Sequence, residues 1–112
     1  MATVLSYAIK YVGDMDRAVR FYQDDLGLSL RFASPFWSEF DTGTTILALH
    51  PATREHPAGS CQIGFRVPDI EAAHTEMQRR GVTFSQQPTT MHGQKIARFL
   101  DSEGAECSLG GN

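Results

Sequence analysis

The chain has 112 residues, of which 41% are hydrophobic and 21% charged, a length and composition typical of one globular domain with a single core. Its formal net charge is −3 and its Lys and Arg residues are scattered, which argues against a nucleic-acid-binding surface. No apolar run approaches the ~20 residues that span a bilayer, and the N-terminus lacks the features of a signal peptide. We therefore expect a cytoplasmic protein without nucleic-acid or membrane partners.

The first half of the chain predicts a strand, a helix and three further strands. The apolar run VLSYAIKYV precedes Asp14, whose side chain is a typical helix N-cap. Apolar residues recur every three or four positions in MDRAVRFYQDDL, which indicates an amphipathic helix, and Gly27 ends it. The runs LSLRFA, FWSEFD and TTILALH are typical of strands, with a tight turn at DTGT.

The second half repeats the first. CQIGFRV predicts a strand, Asp69 an N-cap, IEAAHTEMQRR a helix and Gly81 its end, followed by the strand-like runs VTFSQQ, KIARFLD and AECSL. About five extra residues in this half are assigned to a loop, QPTTMHGQ, that could close over a cavity. The sequence therefore predicts one domain, 1–112, with module 1 at about 1–50, a linker at 51–60 and module 2 at about 61–112.

Each half is thus predicted to be a βαβββ module. The fold class is α+β, with two modules related by a pseudo-twofold axis and helices on the outer face of cupped, mixed sheets, since neither module covers its sheet alone. The segments VGDMDRAVRFYQDDLGL and FLDSEGAECSL resemble motifs of the vicinal oxygen chelate superfamily. That superfamily includes glyoxalase I, extradiol dioxygenases, fosfomycin-modifying enzymes and bleomycin-binding proteins. The resemblance covers nearly the whole chain.

The resemblance also implies four metal-ligand positions, on the first and last strands of each module. In this sequence they are occupied by Tyr7, Ala48, Gln62 and Ser108. Divalent metals of this kind are usually held by carboxylate or imidazole groups, and the set contains neither. We therefore expect no metal and no other cofactor.

The resemblance implies a ligand-binding groove, and its candidate lining residues in this sequence are Tyr7, Trp37, His50, Gln62, Arg98 and Ser108. Trp37 would stack on the ligand, Arg98 would pair with an anion, and Tyr7, Gln62 and Ser108 would form hydrogen bonds. Three alternatives stay open. Trp37 can lie in a dimer interface, Arg98 can face solvent, and His50 can be bonded to the linker.

The sequence favours a metal-independent small-molecule binding protein, similar to the bleomycin-binding members, that sequesters its ligand and forms a homodimer. One alternative is a metal-dependent lyase, isomerase or dioxygenase with shifted ligands, namely His50 and Glu106 with Glu39. Another is a structural or regulatory dimer with a closed cavity. Cys61 and Cys107 form no CxxC motif and lie in apolar runs, so we expect buried free thiols.

Overall fold

The computed structural model describes residues 2–112, which divide into two compact units. The first unit spans residues 6–62, and the second comprises residues 63–112 with the beginning of the chain. Each unit contains one α-helix and strands of mixed direction in the order βαβββ. The predicted α+β class and the repeated module are therefore confirmed. The prediction of a single domain with boundaries near 50 and 61 stays a prediction.

The first unit is a four-stranded sheet with one helix. Its elements are β1 (Val4–Val12), α1 (Met15–Arg20), β2 (Ser29–Phe32), β3 (Ser38–Asp41) and β4 (Ile46–Pro51). The strand order is β2-β3-β4-β1, and β1 runs parallel to β4 while the other neighbours are antiparallel. Asp14 caps α1 because its Oδ1 accepts the Arg17 N–H at 3.1 Å. The helix continues into a π-helical segment, Phe21–Asp25, that packs Tyr22 against Phe40 of β3.

The second unit repeats this plan. Its elements are β5 (Cys61–Val67), α2 (Ile70–Arg79), β6 (Phe84–Met91), β7 (Gln94–Leu100) and β8 (Glu106–Gly111). The strand order is β5-β8-β7-β6, with β5 parallel to β8. Asp69 caps α2 by accepting the Ala72 N–H at 3.1 Å. The helix buries Ile70 and Ala73 against the sheet residues Val67, Ala97 and Leu109. Within residues 2–112, neither helix is long and apolar enough to cross a membrane.

The first and last strands of each unit pair in equivalent registers. Ile9 lies opposite Ala48 in the β1–β4 ladder, and Gly64 lies opposite Ser108 in the β5–β8 ladder. Gly64 follows Ile9 by 55 positions and Ser108 follows Ala48 by 60, the offsets that separate the capping and the turn aspartates. The repeat seen in the sequence is therefore a repeat of backbone pairing.

The prediction of a loop at QPTTMHGQ is wrong. These residues complete β6, form a two-residue turn and begin β7. His92 (φ 52°) and Gly93 (φ 79°) both have positive φ, which matches the twist of a tight hairpin. Pro88 is tolerated because β6 is an edge strand and its pairing with β7 is irregular between Gln86 and Thr89, the stretch that contains the proline. His92 therefore lies at a hairpin tip.

Two smaller predictions also need correction. Both cysteines are free, but only Cys107 is buried, whereas Cys61 at the start of β5 is exposed. Phe36 precedes β3 instead of lying within it, and its side chain is 77% exposed. The sequence Ala-Ser-Pro before Phe36 forms the bend that delays the strand: Ser34 Oγ accepts the Trp37 N–H at 3.1 Å.

Strand β8 approaches β5 closely at Gly111. A Cβ added there would lie 2.5 Å from the Val67 carbonyl oxygen, whereas one added at Gly110 would lie 4.0 Å from its nearest neighbour, the Phe65 oxygen. Neither glycine has a positive φ. The close approach of the strands therefore leaves no room for a Cβ at position 111, whereas position 110 has room for one.

Candidate functional site

The sheet of the first unit has two different faces, because side chains alternate along each strand. One face packs on α1. The other carries a cluster of Ile9, Tyr11 and Ala48, all at most 7% exposed, with Tyr7 and Trp37 packed against it. This face contains the positions at which the sequence predicts a groove.

The rings of Tyr7, Trp37, His50 and Tyr11 form a continuous surface on this face, called here the aromatic patch. The centroid of Trp37 lies 6.2 Å from that of Tyr7 and 6.1 Å from that of His50, and His50 lies 5.2 Å from Tyr11. His56, from the segment after β4, stacks on Tyr11 at 4.5 Å with an interplanar angle of 14°. Aromatic groups on β1 and β4, and on the segments before β3 and after β4, are thus in contact with one another.

A nearly buried carboxylate fixes the indole of this patch. Glu39 is 7% exposed, and its Oε2 accepts the Trp37 Nε1–H at 2.7 Å. Arg31 on β2 approaches the other carboxylate oxygen at 3.8 Å, with half of the arginine side chain in solvent. A charged acceptor makes the Trp37 bond stronger than a neutral one would. The orientation of the tryptophan ring is therefore set by the protein before any ligand arrives.

His50 lies near the end of β4 and is bonded to the last residue of that strand. Its Nδ1 lies 2.7 Å from the Pro51 carbonyl oxygen. A carbonyl oxygen only accepts, so Nδ1 carries a proton and, in the neutral ring, Nε2 is the acceptor. The ring is held edge-on to Trp37, at 81° between planes.

Gln62 lies at the boundary of the first unit and is 5% exposed. Its Oε1 accepts a hydrogen bond from the Tyr11 hydroxyl at 3.0 Å. In this structure Gln62 thus holds the Tyr11 ring of the aromatic patch in place. A direct contact between Gln62 and a ligand stays a prediction.

Arg98 and Ser108 belong to the second unit. They lie opposite each other on β7 and β8, and both are half-buried. Arg98 occupies the register position equivalent to Glu39, because Glu39 lies opposite Ala48 as Arg98 lies opposite Ser108. Arg98 forms no ion pair with any of residues 2–112. The structure therefore groups four of the six candidates in the first unit, and it pairs the other two in the second.

The positions implied as metal ligands do not fit a divalent metal. The Tyr7 ring packs on Trp37, Ala48 is a fully buried methyl group, and the Gln62 amide oxygen accepts from Tyr11. Ser108 adds only a neutral hydroxyl. The site thus lacks the carboxylate and imidazole groups that such a metal needs.

The shifted ligand set is not gathered into a cluster either. Glu106 accepts a hydrogen bond from Ser85 Oγ at 2.7 Å. Within the part of the chain that the structure describes, no group of three or more His, Cys, Asp or Glu side chains is placed to hold a metal ion.

Two βαβββ units with equivalent strand registers, one of which carries the aromatic patch, define an α+β protein of the glyoxalase-like class. Residues 4–109 match the sequence profile of the Glyoxalase/Bleomycin resistance protein/Dioxygenase superfamily, and the chain belongs to that superfamily. It is also 32% identical over 111 residues to the uncharacterized protein YurT of Bacillus subtilis (strain 168), covering 84% of this chain and 87% of that protein.

Solved structures share the fold at low sequence identity. The hypothetical protein BH1468 from Bacillus halodurans C-125 superposes with a TM-score of 0.85 at 16% identity, covering 100% of this chain and 96% of that one. The methylmalonyl-CoA epimerase of Streptomyces coelicolor, in complex with 2-nitronate-propionyl-CoA, has a TM-score of 0.78 at 21% identity, covering 96% of each chain. The Mycobacterium tuberculosis epimerase has a TM-score of 0.77 at 18%, covering 96% and 86%. These likenesses establish the fold and leave the activity open.

Proposed function

We propose that this protein binds a small, flat molecule at the aromatic patch of its first unit without a metal, as a sequestration or resistance protein. The observation that supports the proposal is the continuous ring surface of Tyr7, Trp37, His50 and Tyr11, with its tryptophan oriented by Glu39. A preoriented surface loses little side-chain entropy when it takes up a ligand, which favours binding.

Each residue of the patch has a distinct proposed role. Trp37 stacks on the ligand, the Tyr7 hydroxyl donates or accepts a hydrogen bond, and Nε2 of His50 is an acceptor. Gln62 acts by positioning Tyr11. Arg98 and Ser108 in the second unit are proposed to take an anionic group and a hydrogen bond, and their contribution is tested separately.

We further propose a homodimer in the cytoplasm. Phe32 at the end of β2 and Phe36 before β3 are 47% and 77% exposed. Together they offer apolar surface that a second copy could cover. The two free thiols, Cys61 and Cys107, are compatible with a reducing compartment. Analytical ultracentrifugation of the wild type and of Phe36→Asp tests the dimer, which the charged variant should dissociate.

A second candidate is a metal-dependent isomerase, lyase or dioxygenase. The observation in its favour is that Glu39 and His50 lie on neighbouring strands and both contact Trp37. Elemental analysis after incubation with Mn²⁺, Fe²⁺, Ni²⁺ or Zn²⁺ separates the two candidates. About one metal per chain, lost in His50→Ala, would establish the second candidate and overturn the first.

The proposed function is tested by screening flat small molecules through the fluorescence of Trp37, the only tryptophan. Calorimetry then compares wild type with Trp37→Ala and Tyr7→Phe, and Leu26→Ala serves as a control because Leu26 is 57% exposed and lies outside the aromatic patch. We expect Trp37→Ala to weaken binding about tenfold or more, because stacking contributes roughly 1 kcal/mol beyond the buried area.

In the same experiment, Arg98→Gln and Ser108→Ala report whether the second unit takes part. Weaker binding of acidic ligands only, in Arg98→Gln, would support the anion-pairing role. A broad screen without any saturable ligand would contradict the binding proposal and favour a structural or regulatory dimer.

A further inference from the structure

The first unit contains a second concave surface, called here the α1 groove. It is open, has a volume of about 640 Å³, and lies between the end of β1, α1 with its π-helical continuation, and residues 58–59 of the segment after β4. Its lining includes neither Tyr7, Trp37 nor His50, so it is separate from most of the aromatic patch.

The walls of the α1 groove are mostly apolar. Val12, Ala18, Tyr22 and Ala58 contribute aliphatic and aromatic surface, and Phe21 adds a ring that is 49% exposed. The Phe21 ring stands edge-on to Tyr22, with centroids 5.1 Å apart and an interplanar angle of 84°. A half-exposed phenylalanine in a groove favours an apolar ligand, because covering it removes apolar surface from water.

Two cations border this apolar surface. Lys10 stands on β1 at the position where the second unit has a phenylalanine, Phe65. Its Nζ donates to the Gly59 carbonyl oxygen at 2.9 Å, which holds the ammonium at the groove. An ammonium has three donors and this bond uses one. The lysine is therefore positioned to donate to a second acceptor.

Arg17 on α1 supplies the other cation. Neither Arg17 nor Lys10 forms an ion pair with any of residues 2–112. The single acidic residue of the lining, Asp14, accepts the backbone N–H of Arg17 as the helix cap. Two cationic side chains and one carboxylate thus line the groove, which leaves its lining with a formal net charge of +1 and favours an anionic ligand.

We propose that the α1 groove binds a small organic monocarboxylate with an apolar body of about one ring. Lys10 and Arg17 hold the carboxylate, and Phe21 covers the apolar body. The α1 groove shares only Tyr11 with the aromatic patch, so it can be present whether or not the function proposed above is correct.

The test is NMR titration of the intact protein with benzoate, with benzyl alcohol as an uncharged ligand of similar size. We expect saturable shifts at the backbone amides of Gly59 and Ala18 with benzoate and much weaker binding of benzyl alcohol. Lys10→Met keeps the aliphatic stem and removes the charge, and Arg17→Gln removes the second cation. Each variant should weaken benzoate about tenfold, as expected for the loss of one charge-assisted hydrogen bond.

Arg20→Gln is the matched control, since Arg20 lies on the same helix outside the lining of the groove. It should leave the affinity for benzoate unchanged, and circular dichroism verifies that every variant is folded. Three results would overturn the proposal. These are no saturable shift at the groove, shifts confined to the Trp37 indole, or equal weakening by Arg17→Gln and Arg20→Gln.

Discussion

The buried carboxylate of Glu39 permits a quantitative test of what holds the aromatic patch together. Glu39 makes one short bond, to the Trp37 N–H at 2.7 Å, and one longer approach, to Arg31 at 3.8 Å. Hydrogen bonds to charged groups contribute about 1.5–3 kcal/mol, whereas ion pairs with a half-exposed arginine contribute about 0.5 kcal/mol after solvent screening. The tryptophan bond should therefore dominate.

Three variants separate these contributions. Glu39→Leu removes the acceptor and should lower the free energy of unfolding by about 2 kcal/mol, because the Trp37 N–H loses this partner in a partly buried setting. Glu39→Gln keeps an oxygen that can accept and should cost about 1 kcal/mol. Arg31→Gln should cost about 0.5 kcal/mol or less.

Urea unfolding followed by circular dichroism measures these differences without relying on the tryptophan signal. With a slope of about 1.5 kcal/mol per M, a 2 kcal/mol loss moves the midpoint by about 1.3 M. The reasoning is refuted if Glu39→Leu is as stable as wild type, since desolvation of the carboxylate would then outweigh its bonds. It is also refuted if Arg31→Gln costs as much as Glu39→Leu.

Other predictions concern the second unit and the thiols. Gly111→Ala should lower the free energy of unfolding by about 1–3 kcal/mol, because its Cβ would meet a backbone oxygen at 2.5 Å. Gly110→Ala should change the free energy of unfolding by less than about 1 kcal/mol. Equal losses in urea unfolding would contradict this prediction. Burial raises the pKa of the Cys107 thiol and so lowers its thiolate fraction at pH 8, and the exposed Cys61 should react first with a maleimide, as read by mass spectrometry. Among residues 2–112, His74 Nε2 is buried without a hydrogen-bond partner. His74→Leu should therefore raise the free energy of unfolding by about 1 kcal/mol and, with it, the melting temperature. A lower melting temperature would show that the imidazole is stabilising.

Local signals were sufficient to predict the order of elements. Asp14 and Asp69 cap their helices as predicted, because an N-cap depends on the first turn alone. Gly27 and Gly81 have φ of 78° and 94°, the left-handed conformation expected where a helix ends. The offsets of 55 and 60 residues between the two halves of the sequence recur in the strand pairing of the two units.

Features that depend on distant parts of the chain could not be predicted. Pro88 is locally typical of a strand break, and it is tolerated because β6 is an edge strand whose pairing with β7 is irregular there. His56 gives no signal of its stacking on Tyr11, because the path of the segment after β4 has no periodicity. Lys10 is an unexplained charge in an apolar strand until the structure brings Gly59 next to it.

The equal register of the two units has a consequence for how this protein can change. Main-chain pairing is the same in both units although their side chains differ, so this pairing does not depend on particular side chains. At one equivalent position the chain holds Glu39 in one half and Arg98 in the other, opposite charges on a common frame. Each half can thus serve as a control for the other. Exchanging residues at equivalent strand positions, such as Glu39 and Arg98, would show which side chains are required for folding and which for ligand binding.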